Sequence, residues 1–146
     1  MTRTAEPEVL VRSVEKTRQW IAETAAELGR DDQREAYRAL KAVLHTIRDR
    51  IPVNEAAQLA AQLPELLRGA FYENWTPART PAGYRETAEF LRRVGDEAGL
   101  RGETEASFAA SAVMAVLARH VSRGELEDVL STLPADLRVL LAPSLR

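Results

Sequence analysis

The pattern E-x7-L-P-x2-L-R occurs twice in this chain, from Glu55 to Arg68 and again from Glu125 to Arg138. Pro134 follows Pro64 by 70 positions, and the same shift runs back without a gap until Trp20 meets Phe90. Residues 20–71 therefore lie on 90–141. Self-similarity at a fixed shift is the mark of one structural unit used twice, so any fold assigned to the first half must also suit the second.

The content of the repeat shows what was duplicated. Identical pairs include Glu27/Glu97, Gly29/Gly99, Glu35/Glu105, Ala36/Ala106, Ala39/Ala109, Ala42/Ala112 and Val43/Val113. Apolar character is kept where identity is lost: Leu44 meets Met114, Ile47 meets Leu117, Ile51 meets Val121, Leu59 meets Val129 and Phe71 meets Leu141. The copies share a buried face more than a surface, because a core position is constrained by volume and a wet one is not.

Local signals resolve each copy into helices. Glu6-Pro7-Glu8 suits a helix start, and Leu10, Val14, Thr17, Ile21, Thr24 and Leu28 recur at steps of three and four until Gly29, a C′ residue. Asp32-Gln33-Arg34-Glu35 has the form of a capping box and opens a second helix to about Arg50, with Leu40, Val43, Leu44, Ile47 and Ile51 on one face. Pro52 ends it. A short third helix covers Glu55 to Gln62, and Pro64 suits the first turn of a fourth. The second copy repeats the order: Thr87 to Ala98, Thr104 to Val121, a capping box at Ser122-Arg123-Gly124-Glu125, and Pro134 to Leu141.

No alternating strand pattern appears. The expected fold is all-α: two tandem four-helix repeats, long-long-short-short, packed with approximate two-fold pseudo-symmetry as one helical domain over 1–146. Repeat one covers about 7–72, a linker about 73–83, and repeat two about 84–142. Two halves of about 70 residues would each be marginal alone, which favours one intertwined domain.

Composition narrows the function. A net charge of −2 lacks the basic excess of a nucleic-acid binder, so no nucleic-acid partner is expected. There is no cysteine, which removes disulfides, thiolate nucleophiles and Cys-ligated zinc. No apolar run approaches the roughly 18 residues of a membrane span, and Met1 to Pro7 shows no signal core, so the cytoplasm is the expected location. Phosphate loops, dinucleotide fingerprints and nucleophile elbows are missing, and neither a cofactor nor an enzyme activity is expected.

The blocks Ala36-Tyr37-Arg38-Ala39-Leu40-Lys41-Ala42-Val43-Leu44-His45, Leu63-Pro64-x-x-Leu67-Arg68-Gly69, Tyr72-Glu73-x-Trp75 and Phe90-Leu91-x-Arg93-Val94 resemble the bacterial domain-of-unknown-function family 2267. The resemblance spans nearly the whole chain. It implies an all-helical, cytoplasmic bacterial protein of the same paired layout and carries no activity or catalytic residue with it.

Three groups of residues remain as candidates. His45 and Asp49 stand four apart, but with His120 as the only other histidine a zinc site lacks ligands, so no metal is expected and the pair reads as a surface ion pair on the wet side of helix two. Glu55 with Arg68 and Glu125 with Arg138 recur at a spacing of thirteen. They read as a structural clamp at each Leu-Pro turn or as a pair of anion sites. The linker region holds Phe71, Tyr72, Trp75 and Tyr84, half of the eight aromatic residues. These rings either seal the halves or form a partner-binding patch of Tyr72, Trp75, Arg79, Tyr84 and Arg85. The expected function is a non-catalytic protein-interaction or scaffold module with an unknown protein partner, regulatory or stress-related, as monomer or homodimer. The alternative is a binder of a small apolar ligand in the groove between the repeats, with an enzyme of unrecognised type third.

Overall fold

The computed structural model describes residues 5–142, so the expected domain limits at 1 and 146 lie outside the described residues. Eight α-helices and one 3-10 turn follow one another, with no strand among the described residues: α1 Glu8–Leu28, α2 Gln33–Arg50, α3 Val53–Ala60, α4 Glu65–Tyr72, the turn Pro77–Arg79, α5 Thr87–Ala98, α6 Gly102–His120, α7 Arg123–Ser131 and α8 Ala135–Leu141. Among the described residues no helix is long and apolar enough to cross a membrane.

The punctuation works as the residue types dictate. Asp32 accepts from the backbone N–H groups of Arg34 and Glu35, and Ser122 accepts from that of Glu125, so two helix starts are capped by side-chain oxygens. Gly29 and Gly99 both close their helices at φ 70°, the left-handed backbone that a Cβ resists. Pro52, Pro64 and Pro134 stand one residue before their helices rather than inside the first turn. α3 accordingly begins at Val53, two residues before the expected Glu55. α6 likewise begins two residues early, at Gly102. A proline at the cap position has no hydroxyl or carboxylate to offer. At α4 the missing oxygen comes from another helix, since the buried Ser13 hydroxyl of α1 accepts from the Leu66 N–H at 3.1 Å.

The halves are crossed rather than side by side. α1 packs on α2 and also on α6, while α5 packs on α6 and also on α2. α2 touches α6, α3 touches α7, α4 lies on α1 and α2, and α8 lies on α5 and α6. The close approach of α2 to α6 suits the alanines both carry, for Ala36, Ala39, Ala42, Ala106, Ala109 and Ala112 are all buried. Around them Leu40, Leu44, Ile47, Phe71, Phe90, Met114, Leu117, Leu137 and Leu141 are fully enclosed in one core. Burial of each such side chain contributes about 1.5–3 kcal/mol.

Two expectations fail here, for one reason. Amphipathic periodicity reports which residues share a face and not whether anything covers it. On α2 the face expected to be wet is covered: eleven of the 18 residues are buried, among them His45, Thr46, Arg48 and Arg50. On α1 the face expected to be buried is bare in its first two turns, where Leu10 and Val14 meet solvent.

Candidate functional site

Burial turns the polar residues of α2 into the fastening of the linker. Arg48 donates from Nη1 to the carbonyls of Phe71 and Glu73, each at 2.7 Å, and from Nε to Asp49 at 2.8 Å. His45 sits with Nε2 2.7 Å from the Ala70 carbonyl and Nδ1 2.7 Å from Glu97. Both ring nitrogens thus have a partner, one on α4 and one on α5. The His45–Asp49 surface pair expected from their spacing is therefore replaced by one between a buried His45 and an exposed Glu97 of α5. The Arg48 guanidinium at the end of α4 also meets the negative end of that helix.

The linker rings turn inward. Tyr72 and Trp75 are half-buried with ring centroids 5.2 Å apart, and the indole Nε1 is enclosed without a partner. Tyr84 lies between the guanidinium groups of Arg93 and Arg50, 4.5 and 5.7 Å from its ring centre, and Arg50 Nε donates to its carbonyl. Its hydroxyl is enclosed and unpartnered, and burial pushes its pKa up to about 12 against the opposing pull of the two arginines. Arg79 and Arg85 are exposed. The segment is thus a strap across both halves that turns its rings inward and leaves Arg79 and Arg85 in solvent among other exposed residues.

The expected clamp is not the arrangement either. Arg68 donates to the carbonyls of Ala60, Ala61 and Leu63, closing the end of α3. Arg138 does the same for α7 through Leu130 and Leu133. A guanidinium meets exposed carbonyls at a helix end before it can reach a carboxylate at the other end of that helix. Freed of arginine, Glu55 and Glu125 face one another at the starts of α3 and α7, with Asp128 beside them. Burial, then the opposing Glu55, holds the Glu125 carboxyl well above the ordinary carboxylate range.

A run of exposed apolar residues lies elsewhere. Val9, Leu10, Val11 and Val14 of α1 are exposed at 50, 53, 39 and 36%, and Leu66 of α4 at 54%. Between this stretch of α1 and the corner joining α3 to α4 runs a cleft of about 450 Å³, floored by Trp20, Leu63 and Pro64. Its charged lining is Arg12, Lys16 and Arg68 against one acid, Glu65, with His120 beside them. That balance is positive in a protein whose net charge is negative. His120 stacks on Trp20 at 4.8 Å and binds Glu23 through Nε2 at 2.8 Å. Burial raises the Glu23 pKa, but hydrogen bonds from Arg119 and His120 together outweigh it and leave the group below its ordinary value. Arg119 also pairs with Glu27. Periodicity hid this surface, because Leu10 and Val14 continue the stripe that Ile21 and Thr24 bury.

An all-helical fold of eight helices among the described residues defines the class. The chain belongs to the family described as an uncharacterized conserved protein, DUF2267, whose model matches residues 17–140. Among curated proteins no match was found. The projecting turns of α1, Glu8 to Lys16, precede the matched residues. They also precede Thr17, which corresponds under the 70-residue shift to Thr87, the first residue of α5.

Proposed function

We propose that this protein is a non-catalytic interaction module of the cytoplasm that receives an acidic amphipathic helix of a partner protein against the N-terminal half of α1. The observation that carries the reading is the added stretch of α1. It extends a 12-residue unit, as in α5, to 21 residues, and four large apolar side chains fall within six positions of the addition, beside a cleft lined by cations. Exposed apolar patches rimmed by charge mark interaction sites, and complementary charge sets the choice of partner. An apolar helix face with acidic flanks meets both demands.

The same proposal treats the chain as a duplicated four-helix unit with an approximate two-fold axis between α2 and α6. Its support is that exchanging α1 with α5, α2 with α6, α3 with α7 and α4 with α8 turns each main helix contact into another that is present. The alternative of an apolar ligand between the halves is disfavoured by the lining of the cavity of about 250 Å³ there, where Arg30, Glu35, Arg101 and Glu105 stand among the apolar residues.

The test uses a synthetic acidic amphipathic helix of about four turns, a length at which helices become persistent, and the same peptide with lysine at the acidic positions. Amide shift changes on adding the acidic peptide are expected in Glu8–Trp20 and Leu63–Arg68. Leu10→Glu combined with Val14→Glu should weaken binding at least about tenfold, equivalent to about 1.4 kcal/mol, with the melting temperature unchanged. Equal binding of both peptides, or shifts centred on Tyr72, Trp75, Arg79, Tyr84 and Arg85, would refute the assignment.

A further inference from the structure

The strongest unassigned feature is the meeting of Glu55, Glu125 and Asp128. One oxygen from each lies within 4.8 Å of the others. Glu55 and Glu125 are 9 and 8% exposed, and the Oε2 atom of each is enclosed with no hydrogen-bond partner. Their orphan state has a local cause. Each glutamate is the third residue of its helix, where a carboxylate ordinarily reaches back to the cap residue's N–H. Pro52 has no N–H to give, and that of Ser122 is taken by the Gln62 side chain at 2.7 Å. Both side chains are thereby released from their own helices and directed at one another.

We propose that these three carboxylates bind a hard divalent cation, Ca2+ or Mn2+, at the junction of α3 and α7. All three donors are oxygens, the set such ions prefer over soft or nitrogen-rich ones. Oxygens on opposite sides of Ca2+, each at about 2.3–2.6 Å, are separated by about 4.6–5.2 Å, so a spread within 4.8 Å suits that ion. Asp128 is exposed, which supplies both a third ligand and a route of entry, and water completes the shell. Under the 70-residue shift Glu55 and Glu125 are equivalent, whereas Asp128 falls opposite Gln58. The duplicated unit supplies two ligands and the divergence of the copies supplies the third.

The experiment is calorimetric titration of chelator-treated full-length protein with CaCl2 and with MnCl2 near neutral pH, with thermal melts alongside. One saturable site per chain is expected, with a dissociation constant at or below about 1 mM, the weak end for carboxylate sites, and a melting temperature that rises with cation. Glu55→Gln and Glu125→Gln should abolish the heat, and Asp128→Asn should weaken binding at least tenfold while leaving the fold intact, because its side chain is exposed. The Asp128 variant keeps the test decisive if a buried variant fails to fold. No saturable heat with either cation would overturn the site. So would a wild-type melting temperature indifferent to cation while both glutamine variants melt higher, the signature of a proton held between two carboxyls. Neither result bears on peptide binding at α1, which lies on other residues.

Discussion

Tyr84 shows at the scale of one residue how the linker is held. Its ring joins arginines of both halves, yet its hydroxyl is enclosed and unpartnered. A buried polar group without a partner destabilises, so Tyr84→Phe is expected to leave stability unchanged or raise it by up to about 1 kcal/mol in urea unfolding. The sign with pH follows from the raised pKa. The neutral phenol is favoured by folding, so the contribution is complete below the ordinary value of 10 and is lost as pH rises through about 12. Absorbance titration should find one tyrosine ionising about two pH units late, and the phenylalanine variant should lose that component. An ordinary titration for all three tyrosines would refute it.

Among elements, the two Leu-Pro corners are the sharpest test, because residue pattern and geometry disagree there. Arg68 binds the end of α3 and Glu55 turns towards α7, so the two side chains act separately. Arg68→Ala should destabilise by about 1–3 kcal/mol through three orphaned carbonyls. Combined with Glu55→Gln, its effect should add within about 0.5 kcal/mol, as for independent sites. A coupling above 1 kcal/mol in the double-mutant cycle would restore the clamp. Helices were legible in the residues because their signals are local: Asp32, Gly29, Gly99 and Ser122 act on neighbours within a turn. The burial of His45 and Arg48 was not, since it depends on α4 and α5 arriving from 25 and 52 residues away. The same limit hid the exposure of Leu10 and Val14. The pairing of Glu55 with Glu125 was half legible, for the repeat set the two residues as equivalents but could not say that they meet.

For the whole molecule, the decisive arrangement is that α1 leans on α6 and α2 on α5, with the strap running between. Seen as assembly, the first half is a ligand of the second, and the fourteen residues between α4 and α5 act as a tether. A short tether holds its two ends at an effective concentration on the order of millimolar, which makes their association independent of how dilute the protein is. Cutting the tether should abolish that independence. Trypsin has an exposed target at Arg79 in the 3-10 turn, and a chain nicked there should remain one folded particle whose melting temperature falls with dilution, as for a dimer of unlike subunits. Each purified fragment should lack a cooperative melt and recover it on mixing. A fragment that melts cooperatively alone would show that its half owns a core of its own. Otherwise the strap carries an entropic duty distinct from its contacts: it spares a small helical protein from ever having to find its other half.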